Sequence, residues 1–287
     1  QGGRLIAATI VTRPHMSSFA SIRVLLLAAL VSLSGAAQAL VFAINEGVTY
    51  RVSNDEIRGR YAAIATDLSK ILKQPVTIEP IGHYPTLRDG LTNKAYDLAM
   101  VHPAHISILA IKNQGYQLMA VAKGFEGYAA SFLVRADSPL KSLADLDGKR
   151  LGAPDEDSIT AWMVRASLRD ALKNPKSVAI TYTRYQDAVP FFVENTLTHA
   201  GATAAGAVIK DWQAKGGKVL TKSKAVPIKH LIAAPSVSPE QVAAVRDYFI
   251  ALDSTDEGRK KLEPIKLRGF MAYDEKAMLD LGKWLGL

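Results

Sequence analysis

Cysteine is absent from the 287 residues, which excludes disulfides, a thiol nucleophile and any cysteine-bound metal. It also excludes lipid attachment at a cysteine following a secretory leader, so release in soluble form is expected. No run of five like charges occurs, and the formal charge of +8 is spread along the chain. A nucleic-acid role is therefore not expected, whereas a mildly cationic surface around an anion site fits. Long apolar runs are missing too. The longest, Val24 to Leu33, would reach about 15 Å as a helix, roughly half of a bilayer core. There is no repeat of fixed period and no low-complexity tract. Without G-x-S-x-G, H-E-x-x-H or clustered carboxylates, a secreted hydrolase is the weakest alternative.

Residues 23–39, RVLLLAALVSLSGAAQA, combine a positive start at Arg23, the short apolar run and a small-x-small site at Ala37-Gln38-Ala39. That pattern predicts a cleavable secretory signal peptide, with the mature chain starting near Leu40. The first methionine is Met16, so residues 1–15 read as upstream sequence. Residues 1–39 hold Arg4, Arg13 and Arg23 and no acid, so the rest carries +5. A released binding protein or enzyme stays near its cell only behind an outer membrane, which predicts a Gram-negative periplasm.

The mature part alternates strand and helix. Residues 40–44 read as a strand, and Asn54 as the cap of a helix with Asp55 and Glu56 in its first turn. Ile57, Tyr61, Ile64, Leu68 and Ile71 fall on one face at helical spacing. Strands are expected at 76–81, 98–101, 118–122 and 131–134, with helices at 84–91 and 105–112. A second run follows: a strand at 150–153, a helix capped by Asp157 or Ser158, a strand at 178–182, a helix at 186–197, and strand-helix-strand over 203–220. Residues 228–234 lead to a helical tail opened by Ser238-Pro239-Glu240. This rhythm predicts α/β architecture with parallel sheets covered by helices.

Four segments carry a resemblance: KSLADLDGKR at 141–150, YDLAMVHPAH at 96–105, YAASFLVRAD at 128–137 and PDEDSIT at 154–160. Together they resemble the phosphate/phosphite/phosphonate-binding proteins that serve ABC transporters. The resemblance implies a two-lobed periplasmic-binding-protein-like fold, each lobe a mostly parallel sheet flanked by helices, with two hinge crossings. It places lobe one at 40–130 plus 234–287 and lobe two at 131–233.

The resemblance further implies ligand contacts from His102 and His105, from Ser131 entering lobe two, and from Ser158 and Thr160 at a helix start. Tyr84 holds the second-loop position and Tyr50 is a candidate from the first loop. A helix N-terminus with hydroxyls beside it suits a tetrahedral oxyanion, although D-S-x-T is also an ordinary cap. His102 and His105 read as donors to the ligand, with binding expected to weaken as pH rises through a histidine pKa. The alternatives are a loop-capping histidine and, least favoured, a metal pair.

Relatives that hold an aminoalkylphosphonate have an acid where this chain has Ala204, so a smaller or neutral-tailed ligand is expected: phosphate, phosphite, a simple alkylphosphonate or another oxyanion. The expected partners are that oxyanion and a membrane ABC permease, or alternatively a sensor histidine kinase. A monomer with no cofactor, no metal and no catalytic residue is expected.

Overall fold

The computed structural model describes residues 2–3, 38–47 and 52–287. Tyr50 and most of the expected signal peptide lie outside the described residues. From Leu40 the chain alternates as its periodicity dictates. Strand β1 (Leu40–Ile44) is followed by helix α1 (Asn54–Leu72). Its cap is Ser53, whose side chain accepts from the Glu56 amide, so Asn54 is already inside the helix. The buried face is Ile57, Tyr61, Ile64, Leu68 and Leu72, while Ile71 is 38% exposed. The cause is the 3.6-residue period, which by the fifth turn carries position 71 past the edge of the apolar stripe.

β2 (Val76–Pro80), α2 (Tyr84–Thr92), β3 (Leu98–Val101), α3 (Ala104–Gln114) and β4 (Gln117–Ala122) complete the first run. The second holds β5 (Ser131–Val134), β6 (Arg150–Ala153), α4 (Ile159–Ala171), β7 (Ala179–Tyr182), α5 (Val189–Glu194), β8 (Ala200–Thr203), α6 (Gly206–Ala214) and β9 (Lys218–Lys222). The helix expected at 186–197 is shorter for a local reason. Pro190 has no N–H to donate to the Gln186 carbonyl, so 186–188 form a 3₁₀ turn, and Thr196 adopts φ 57° beyond the end. The chain closes with β10 (His230–Ala233), α7 (Pro239–Ala251), α8 (Asp256–Leu262), β11 (Phe270–Met271) and α9 (Glu275–Leu285). Ser238 and Gln241 form a reciprocal capping box at the start of α7.

Two sheets result, ordered β11-β4-β10-β3-β1-β2 and β7-β6-β8-β5-β9. Both are mixed rather than mostly parallel. β1 pairs in parallel with β2 and β3, and β6 with β7 and β8. The strands next to the crossings run the other way: β10 is antiparallel to β3 and β4, and β5 is antiparallel to β8 and β9. A strand entered directly from another sheet lacks the crossover helix that would bring it in parallel to its neighbours. β10 thus belongs to the first sheet, although it lies inside the 131–233 span expected for lobe two.

The connection between the sheets is a ribbon. Segments 123–130 and 223–229 run antiparallel, with Val226 N–H donating to Tyr128 O (2.8 Å), Ser223 N–H to Ala130 O (2.8 Å) and Ile228 N–H to Phe125 O (3.2 Å). Two histidines, the buried His230 and the half-buried His102, fasten this ribbon to the first sheet. His230 donates from Nε2 to Pro227 O (2.9 Å) and accepts at Nδ1 from Ser107 (2.5 Å). His102 donates from Nδ1 to Ile228 O (3.0 Å). Burial pushes each pKa down to about 4, from an ordinary value of 6.5.

Both groups bind protons more readily in the unfolded chain. Their stabilising contribution is present above pH 6.5 and lost as pH falls towards 4, on the order of 3 kcal/mol each if fully expressed. Urea unfolding across pH 7.5 to 4 is expected to show stability falling mainly inside that window, with a smaller fall in His102→Gln. A flat profile would overturn the neutral assignment.

Candidate functional site

The loops after β1, β2 and β3 in the first sheet face those after β6, β7 and β8 in the second, where ligands of open α/β sheets bind. In the first wall Asn45, 1% exposed, donates from Nδ2 to Ile81 O (2.7 Å) and accepts from Gly47 N–H (3.1 Å), tying the first loop to the second. Gly47 sits at φ 92°, and a Cβ there would lie 2.6 Å from the His102 ring, so a side chain would displace that imidazole. His102 is half-buried and is followed by a cis peptide to Pro103. Because its Nδ1 proton goes to Ile228 and it is neutral, its Nε2 is an acceptor at neutral pH. The cationic donor expected from the sequence is therefore replaced by an uncharged ring. Tyr84 opens α2 and packs half-buried on the first core.

His105 is drawn away from the open cleft. It is 1% exposed, with Nε2 3.3 Å from Asp157 Oδ1 and its ring tilted against Trp162 at 5.6 Å. Arg88 on α2 reaches the same carboxylate, Nη2 to Oδ2 at 2.5 Å. Asp157 stands just before α4, so this triad joins the two walls. Burial opposes ionisation of Asp157, but the hydrogen bonds and charges of His105 and Arg88 outweigh it and hold its pKa far below the carboxylate range. Burial shifts His105 downward, and its Nδ1 has no partner among the described residues. Ala104 and Ile108 of α3, Met163 and Leu168 of α4, and Met278 and Leu285 of α9 share one apolar cluster. The walls are thus in contact through both charge and packing.

In the second wall Ser158 caps α4, accepting from Ala161 N–H (3.1 Å). Its hydroxyl does what a cap does. Thr160 is fully buried and its Oγ1 lies 3.2 Å from the Tyr128 hydroxyl. That phenol also accepts from Gln186 Nε2 (2.9 Å), and Gln186 Oε1 accepts from Thr203 (3.0 Å) and the Ala204 amide (2.6 Å). The network links the start of α4, the crossing ribbon, the loop after β7 and the end of β8. Gln186, Thr203, Arg88, Asp157 and Trp162 were not among the expected site residues. Their partners are remote in sequence, and no local pattern marks them.

Ser131 is placed differently. It is 1% exposed, lies at the ribbon end of β5 and lines a cavity of about 320 Å³ with Phe125, Tyr128, Ala204, Ile209 and Lys222. Its hydroxyl has no hydrogen-bond partner among the described residues. Thr160 adjoins this cavity through Tyr128, whereas His105 and Ser158 are engaged elsewhere. Among the described residues no group of three or more His, Asp or Glu could hold a metal, and no helix is long and apolar enough to cross a membrane.

This lobed geometry has relatives. Residues 47–278 match the family described as "ABC transporter, phosphonate, periplasmic substrate-binding protein". The chain belongs to that family. Its members are periplasmic solute-binding components of ABC transporters, not enzymes, and the family implies a small-molecule ligand and an ABC permease. Several solved structures share the fold. XAC2383 of Xanthomonas citri bound to ATP superimposes with a TM-score of 0.68 at 14% identity, over 86% of this chain and 97% of that one. PhnD1 of Prochlorococcus marinus in complex with methylphosphonate gives 0.60 at 16% identity, over 86% and 96%. A binding protein component of an ABC phosphonate transporter from Pseudomonas aeruginosa gives 0.56 at 18% identity, over 86% and 85%. No match to a curated protein was found.

Tyr128→Phe should expose the worth of the network. It leaves the Gln186 amide and Thr160 hydroxyl without their shared partner, and a loss of about 1–3 kcal/mol is expected. Urea unfolding with an unchanged m-value would measure it. A loss within about 0.5 kcal/mol, the scale of ordinary surface changes, would show the network to be incidental.

Proposed function

We propose that the protein captures a small oxyanion, a phosphonate, phosphite or phosphate, between two closing lobes and delivers it to an ABC permease. The lobes of this reading follow the two sheets, one built on 40–122 with 230–287 and the other on 131–222, joined by the ribbon. Ser131 carries the proposal. Ser131 lies at the foot of the ribbon on the cavity lining, and its hydroxyl, without a hydrogen-bond partner among the described residues, is available to a ligand oxygen. The other lining groups agree in sign. Lys222 and the phenol of Tyr128 are present and no carboxylate is, so an anion meets no repulsion. Methylphosphonate in the similarly folded PhnD1 structure is consistent with this ligand class.

The reading involves no turnover, and its site in the periplasm is the one the family implies. In this reading His102 would meet the ligand as an acceptor, suited to a protonated ligand oxygen, once the lobes close, with Tyr84 and Thr160 in the surrounding walls.

A thermal-shift panel of phosphate, phosphite, methylphosphonate, sulfate and an alkylsulfonate tests the proposal. A ligand at 100 times its dissociation constant should stabilise by about 2.7 kcal/mol. Ser131→Ala is expected to fold normally and bind about 10–100-fold more weakly, the equivalent of one charge-assisted hydrogen bond. If no phosphorus oxyanion stabilises the protein, the reading is wrong.

A further inference from the structure

We infer that the ligand carries a second anionic group: a phosphonate whose tail ends in a carboxylate or another acid, received by Lys222 and the first turn of α6. This rests on the oxyanion reading of the same cavity and names the class of ligand within it.

Size is the first argument. A space of about 320 Å³ would hold about ten waters at roughly 30 Å³ each. Bare phosphate, five heavy atoms, leaves much of that open space unfilled, so the cavity has room for a tail.

Charge decides what kind. Ser131 and Lys222 are cross-strand partners on β5 and β9, and both line the cavity, as neighbours on one face of a sheet do. The Lys222 ammonium has no ion pair or hydrogen bond among the described residues, although it also borders a shallow groove beside Trp284. No carboxylate lines the cavity to neutralise it. Gln186 stands nearby as a neutral amide, and its oxygen is already spent on Thr203 and the Ala204 amide. An ammonium tail would therefore find a cation and no anion.

The first turn of α6 adds to the same sign. Its cap, Ala205, has no side chain able to bond the exposed amides, and no acid occupies its first turn. Ala204 and Ile209, on either side of that turn, line the cavity. The start of the helix, with the positive end of its dipole, thus lies beside the space that Lys222 lines. The unpartnered, buried Ser131 hydroxyl marks this space independently as one that expects a ligand atom.

Isothermal titration at one pH with methylphosphonate, phosphonoacetate, 3-phosphonopropionate and 2-aminoethylphosphonate tests the inference, using the wild type, Lys222→Gln and Lys222→Met. At least one phosphonocarboxylate is expected to bind tenfold or more tightly than methylphosphonate, and the amine compound most weakly. Both variants should reduce that advantage at least fivefold, beyond whatever they take from methylphosphonate affinity itself. Raising salt should shrink the advantage too, since Lys222 is exposed. If methylphosphonate binds as well as the phosphonocarboxylates, or if both variants preserve the gap, the inference falls and the oxyanion reading stands. If no phosphonate binds at all, the inference falls, and the oxyanion reading then stands or falls on phosphate and phosphite in the thermal-shift panel. Melting curves of the free variants, expected within a degree or two of wild type, separate lost binding from lost fold.

Discussion

The crossing ribbon governs this molecule. Two stretches of chain, 123–130 and 223–229, are hydrogen-bonded to each other by their backbones, so the two sheets are held at a common edge. Their side chains and carbonyls then build the site. The carbonyls of Pro227 and Ile228 orient His230 and His102, Tyr128 reaches to Thr160 and Gln186, and Ser131 begins the first strand beyond. Because the ribbon enters each sheet directly, β10 and β5 must lie antiparallel to their neighbours, and the mixed sheets follow from the connectivity. A break in this ribbon would leave the two walls held only by the Arg88–Asp157–His105 triad and the packing of α3, α4 and α9.

Much of the fold was legible because local rules agree with one another. Strands at Leu40–Ile44, Leu98–Val101, Ser131–Val134 and Arg150–Ala153 are short apolar runs with clear boundaries. Where two candidates competed, chemistry nearby decided. Ser53 and Asn54 can both cap, and the residue placed one position earlier took the role and left Asn54 helical. At 186–197 the apolar spacing promised a full helix, but Pro190 removed the hydrogen bond that would have joined Gln186 to it.

The site was less legible, for a physical reason. Ser131 was indicated by resemblance, and it lines a cavity. Gln186 is an uncharged polar residue in a polar loop, and its partners Tyr128 and Thr203 are 58 and 17 residues away. Arg88 and Asp157 are 69 apart. Pairings of this kind are settled by the fold, so sequence spacing holds no trace of them. Histidine raised the opposite difficulty. Its residue type suggested a cation, yet burial makes the neutral form cheaper here: two carbonyl partners and one serine satisfy the neutral tautomers of His102 and His230 without any counter-ion.

The Arg88–Asp157–His105 triad changes what the cleft can offer an anion. Asp157 stays ionised through the neutral range, because the two bases around it hold its pKa so low. Any anion approaching Arg88 must therefore displace a carboxylate already in place, and that exchange yields little net attraction. The strongest cation near the walls is in this way removed from competition, and His102 adds none. What remains to recognise a ligand is a set of uncharged donors with Lys222 at the rim. Charge-assisted hydrogen bonds contribute about 1.5–3 kcal/mol each, so a handful offset the costs of binding and reach roughly the 8 kcal/mol of a micromolar complex. Such an arrangement selects for shape and hydrogen-bond geometry before it selects for charge, and it leaves the sign of the ligand's far end to Lys222, while the Lys229 ammonium lies over the Phe125 ring.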